Sequence, residues 1–138
     1  MKTKILSLTV LLLAVTSVSH AASGFYCSSR TQITDFNSQI TLIEVTKTKN
    51  AVYNYKHTLW PNGPADGIPS EDSGFEKTVF FDGLVDLKKQ SNKISVQDKL
   101  GNKLLVVKKG IDPDDKDFLG NGEIFFDGQV FNIKCYKK

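Results

Sequence analysis

Five carboxylates stand at ligand-like spacing in the last third of the chain: Asp112, Asp114, Asp115, Asp117 and Glu123, within GIDPDDKDFLGNGE. Counted from Asp112, acids fall at positions one, three, four and six, and Glu123 falls at twelve. A helix–loop–helix calcium loop wants oxygen ligands at one, three and five, glycine at six and glutamate at twelve. Here Lys116 holds position five and Asp117 position six, and no helical pattern flanks the loop. The spacing therefore offers Asp112, Asp114, Asp117 and Glu123 as calcium ligands, while a solvated acidic turn is the simpler reading.

Nucleophilic chemistry has little to work with. The chain has two histidines, His20 and His57. His57 stands in a row with Tyr53, Tyr55 and Leu59, where a histidine is more often a packed or surface residue than a general base. There is no Gly-x-Ser-x-Gly elbow and no phosphate-cradling glycine loop. The expectation is a protein that is not an enzyme and needs no cofactor. Tyr53, Tyr55, Trp60 and Phe75 flank a long Pro/Gly stretch, and aromatics beside such a loop suit recognition of a protein or a sugar. Ordinary barrel core is the competing reading of the same four residues.

Two cysteines remain, Cys27 in GFYCSSR and Cys135 in FNIKCYKK. They imply one disulfide in an exported chain. A bridge between residues 108 apart contributes roughly 4.7 kcal/mol in the chain-entropy picture. It also requires the two ends of the domain to meet.

Export is itself read from the start of the chain. Lys2 and Lys4 precede an apolar run over residues 5–18, and Ser19-His20-Ala21 closes it. That is the layout of a secretory signal peptide with cleavage after Ala21, and the run is short for a membrane span. No later stretch is long and apolar enough to span as a helix. The domain division is thus a leader over 1–21 and a single domain over 22–138, with the product periplasmic or secreted. The full chain carries a net charge of +3, and loss of Lys2 and Lys4 lowers it to +1. No basic stripe is visible, so nucleic acid is a poor partner. An unknown protein or glycan of the cell envelope is the expected one.

The elements that must position these residues read as short strands. Asp127-Gly128 lies between IFF and QVF, a strong signal for a two-residue primed turn. That turn sets Phe126 opposite Gln129, Phe125 opposite Val130 and Ile124 opposite Phe131. Ile124, Phe131, Ile133 and Cys135 then share a face. The similar VFFDGLVDLK at residues 79–88 predicts a second hairpin turning at Asp82-Gly83. Residues 93–109 predict a third turning at Gly101-Asn102, with Val96 opposite Val107. In QITLIEVT the alternation slips, which predicts a bulge or bend near Leu42-Ile43. Tyr53, Tyr55, His57 and Leu59 share one face of their strand; Thr58 and Trp60 share the other. Residues 61–74 (PNGPADGIPSEDSG) and 110–122 predict two long loops.

About nine short strands and no helical periodicity give an all-β fold. With its terminal strands stapled, a small antiparallel β-barrel is expected, with a β-sandwich as the alternative. The functional expectation is an exported binding or interaction module, inhibitor-like, presenting the two long loops. A small apolar-ligand carrier, with residues such as Phe80, Val85 and Phe131 lining the barrel, is the alternative. An envelope hydrolase is third.

Overall fold

The computed structural model describes residues 24–138, so the expected leader lies outside the described residues. Eight strands run in order: β1 (Phe25–Gln32), β2 (Asn37–Lys47), β3 (Tyr53–Pro64), β4 (Thr78–Lys89), β5 (Lys93–Asp98), β6 (Lys103–Lys109), β7 (Phe118–Phe126) and β8 (Gln129–Lys137). Each pairs antiparallel with the next, and β8 returns to β1. The barrel is closed, which settles barrel against sandwich. Cys27 and Cys135 are direct partners in that ladder and are joined by a disulfide, with Cα atoms 3.9 Å apart.

Period-two patterning fills the interior. Phe25, Cys27, Ile43, Val45, Tyr55, Val85, Ile94, Val96, Leu105, Val107, Ile124, Ile133 and Cys135 form one buried cluster. Space for the disulfide comes from Gly122 on β7. A Cβ built there would lie 2.9 Å from the Cys135 sulfur, closer than packed interiors allow.

The Asp127-Gly128 turn forms as expected. Both residues have positive φ, 52° and 74°, and the register is Phe126↔Gln129, Phe125↔Val130, Ile124↔Phe131. The second Asp-Gly does not turn. Asp82 and Gly83 lie inside the twelve-residue β4, opposite Lys56 and Tyr55 of β3. Gly83 is not among the positive-φ glycines, and the Phe81 ring lies over its face. Eight strands therefore replace nine. The β5–β6 hairpin exists, but in a register two residues away from expectation: Ile94 faces Val107 and Val96 faces Leu105. Its connection spans 99–102, longer than two residues. Asp98 organises it by accepting the backbone N–H of Leu100 and Asn102 and the Asn102 side-chain amide.

No bulge occurs at Leu42-Ile43; the β1–β2 ladder runs unbroken from Phe25↔Val45 to Gln32↔Ser38. Both residues are buried because β2 is covered on both faces. Ile43 and Val45 point into the barrel core. Ser38, Ile40 and Leu42 lie on the other face, as do Thr58 and Trp60 of β3, and all five are buried. Outer barrel residues need a cover to be buried, and the loop between β3 and β4 supplies it. Pro69 in that loop is itself buried. Arg30 donates to the carbonyls of Pro64 and Gly67. Glu71 pairs with Lys56 at 2.8 Å and with Lys77, and the Lys77 ammonium lies 5.6 Å from the Trp60 ring.

The strand β3 also outlasts its expected end at Trp60. Its register with β2 shifts between Ser38↔Gly63 and Ile40↔Trp60, so Pro61 and Asn62 accommodate an extra residue. Beyond Leu59 its β4 ladder has ended. Proline is tolerated at such a bulged, one-sided strand end.

Candidate functional site

Antiparallel order puts alternate connections at opposite ends of the barrel. One end, the mouth, carries the β1–β2, β3–β4, β5–β6 and β7–β8 connections. The other, the staple end, carries both described chain ends and the β2–β3, β4–β5 and β6–β7 connections. The two long loops that the module was expected to present, 61–74 and 110–122, therefore leave the barrel at opposite ends. The second is also shorter than expected, because β7 begins at Phe118.

The mouth holds a hollow of about 340 Å³. Its walls differ by strand. β1 and β2 contribute the polar side chains Ser29, Thr31, Gln39 and Thr41. β3, β4, β7 and β8 contribute Leu59, Phe80, Ile124, Phe126 and Phe131, with one polar residue, Asn132, on β8. His57 lies among them, only 6 % exposed. Its ring neighbours are aromatic edges, Phe80 at 5.1 Å and Phe126 at 5.2 Å between centroids. Burial holds its pKa at about 4, below the ordinary 6.5, so the ring is neutral at pH 7.

A bulge aims Phe80. The β3–β4 register slips between His57↔Phe81 and Thr58↔Val79, which leaves Phe80 as the extra residue. Phe81 turns inward onto Tyr55, edge to face at 5.7 Å. Phe80 reaches across the end of the short β5–β6 hairpin and meets Phe126 at 4.6 Å. That contact closes one side of the mouth.

The rim is apolar. Nine of the eleven exposed large apolar residues described belong to this end. Ile33 and Phe36 lie in the β1–β2 turn, Ile68 and Phe75 in the β3–β4 loop, Val79 and Phe80 at the start of β4, Leu100 in the β5–β6 turn, and Val130 and Phe131 at the start of β8. Concentration of this kind on one end differs from the single scattered apolar residues of ordinary surfaces.

Of the four aromatics singled out in the sequence, the structure brings none together as a binding face. Tyr55 is in the barrel core, and burial pushes its phenol pKa up. Trp60 is on the outer face beneath the β3–β4 loop. Tyr53 is at the staple end, 5.8 Å from the Lys89 ammonium. Phe75 alone is exposed, in the β3–β4 loop. Strand alternation separates Tyr55 from Trp60, and strand length separates Tyr53 from Phe75.

The carboxylates form no cage. Asp112 accepts the Asp114 backbone N–H and Asp115 accepts that of Asp117, both at 2.9 Å. These side chains thus cap their own loop. Glu123 lies in mid-strand, opposite Val106 and Asn132. Among the described residues no group of three or more His, Cys, Asp or Glu is placed to hold a metal ion. Burial first, then the Tyr136, Asp115 and Asp117 charges, push the Tyr26 phenol pKa up. That phenol ring stacks on Tyr136 at 5.3 Å across the closing ladder.

Sequence reasoning missed the polar wall, Ser29, Thr31, Gln39 and Thr41. Each reads as an ordinary polar position, and only the β1–β2 register shows that they share the inner face. Among the described residues no helix is long and apolar enough to cross a membrane. The disulfide is consistent with an oxidising compartment. Comparison with protein-family models, with curated proteins and with solved structures finds no match.

Proposed function

We propose that this chain is an exported, non-enzymatic binding module whose working surface is the barrel mouth. The observation that carries the reading is the two-sided hollow itself: one wall largely apolar and aromatic, the other built of hydroxyls and an amide, open to solvent. A concave site of this kind, with a few convergent polar groups, is the common form of a recognition site. A binding role fits His57 better than a catalytic one, because aromatic edges surround it and no carboxylate lines the hollow. A carrier that encloses its ligand fits less well. Val85, Ile94, Val96, Leu105 and Val107 fill the interior, so the hollows of about 340 Å³ lie at the two ends of the barrel rather than inside it. An envelope protein or glycan remains the proposed partner class.

The test is amide and methyl shift mapping by NMR, titrating envelope glycan fragments and peptide pools. Shifts should concentrate on Ser29, Thr41, His57, Phe126 and Phe131. Saturable shifts confined to the staple end would overturn the mouth as the working surface, as would none at all across both panels.

A further inference from the structure

The barrel closes along only half of its last ladder. β1 and β8 pair over Phe25↔Lys137, Tyr26↔Tyr136, Cys27↔Cys135 and Ser28↔Lys134. On their other sides both strands stay paired to the mouth: β1 with β2 through Gln32↔Ser38, and β8 with β7 through Phe126↔Gln129. Among the described residues, then, the β1 edge over 29–32 faces the β8 edge over 129–133 with no ladder between them. Two hollows flank this gap and share Ser29 and Asn132. The inner one is the mouth cavity of about 340 Å³. The outer one, about 690 Å³, lies between Arg30 and Lys134 and reaches Lys108 and Glu123.

We propose that the gap takes an extended peptide as an added strand, in register with the free edge of β1. The inference rests on the mouth as the working surface and names the partner's chemistry. Unpaired N–H and C=O groups on a strand edge are satisfied by another extended backbone. The occupant's pattern follows from the two hollows. Successive side chains of a strand point to opposite faces. One set enters the inner hollow against Leu59, Phe80, Phe126 and Phe131, which selects apolar side chains. The other set faces outward over Arg30, Lys108 and Lys134, three cations with one carboxylate, Glu123, among them. That excess of positive charge selects acidic side chains. The partner is a segment alternating apolar and acidic residues, matching a free β1 edge of four residues, about 13 Å long.

The experiment uses the oxidised chain and a synthetic pool of blocked nonapeptides alternating Leu, Ile or Phe with Asp or Glu. A second pool has the same composition arranged in a helical pattern. Binding is read by fluorescence anisotropy, and amide exchange locates it. The alternating pool should bind, protecting amides over 29–32. N-methylation of the peptide backbone at the alternate positions that face β1 should weaken binding by at least about ten-fold, without touching any side chain. Phe131→Ser and Lys134→Glu should each weaken it by a comparable factor. Because N-methylation alters only the probe, the result stands even if one variant folds poorly. Indifference to N-methylation or preference for the helical pool would overturn strand addition, and protection confined to residues outside 29–32 would overturn its place on β1. Glycan fragments that shift mouth resonances while both peptide pools fail would overturn strand addition and leave the mouth as the working surface. Failure of every probe at that end overturns both.

Discussion

Burial sets the chemistry of His57. The folded ring titrates at about 4 and the unfolded one at 6.5. Between those values the unfolded chain binds more protons, so stability rises with pH across the window. The contribution is fully present above pH 6.5 and is lost as pH falls toward 4. Between pH 7 and pH 5 the expected loss is about 2 kcal/mol. Urea melts of wild type and His57→Gln at both pH values check this: the variant should lose clearly less, and equal losses would show that the ring is not held neutral by burial. The sequence left His57 as a packed or surface residue in an aromatic row, and the structure buries it. Its role in the mouth was not legible, because Phe80 reaches it through a bulge and Phe126 belongs to a strand far along the chain. The aromatics Tyr53, Tyr55, Trp60 and Phe75 looked like one group because they cluster in sequence. A strand sends neighbours to opposite faces and spans the barrel from end to end, so closeness in sequence scattered them.

At the scale of elements, the two Asp-Gly pairs show what a turn dipeptide does and does not decide. Asp127-Gly128 turns, with both residues at positive φ. Asp82-Gly83 stays extended, because β4 pairs with β3 on both sides of the dipeptide, from Thr78 to Val85. Tertiary pairing outweighed local preference. The loop over β2 and β3 is the other lesson. Its proline and glycine content announced a break in the strand pattern, but not that it would fold back as a cover. The signal was present in ITLI, where Ile40 and Leu42 take one face and Ile43 the other. Doubly apolar strands need cover on both sides. Trp60 anchors this cover, yet its indole N–H and the Ser38 hydroxyl are buried without a hydrogen-bond partner among the described residues. Trp60→Phe should therefore cost about 1 kcal/mol or less, since lost contacts are offset by removal of an unpaired donor. Trp60→Ala should cost about 3–5 kcal/mol and expose residues 65–77 to proteolysis. Denaturant melts with limited proteolysis measure both; an alanine variant as stable and resistant as wild type would show that the loop is held by its ion pairs alone.

For the whole molecule, the stapled ends were the most legible feature. Two cysteines near the ends of a strand-rich chain implied neighbouring terminal strands, and that in turn implied closure. The incomplete ladder was not legible, because it depends on how far β1 and β8 diverge past Ser28 and Lys134. Reduction of the disulfide should lower stability by up to about 4–5 kcal/mol, a large share of the roughly 5–15 kcal/mol typical of a domain. Calorimetric melts with and without reductant, with thiol alkylation to confirm opening, decide this; a midpoint indifferent to reduction would remove the bridge from the stability of the fold. The same bond has a mechanical consequence. Gly24 and Lys138 emerge side by side, with the Lys138 N–H on the Gly24 carbonyl. A pull on the two ends runs along β1 to Cys27, crosses the sulfurs and leaves along β8 from Cys135. The residues between the cysteines, a separation of 108, carry none of that tension. Once the sulfurs part, the same pull unzips the terminal ladder one residue pair at a time, and only four pairs stand between an intact barrel and an open sheet.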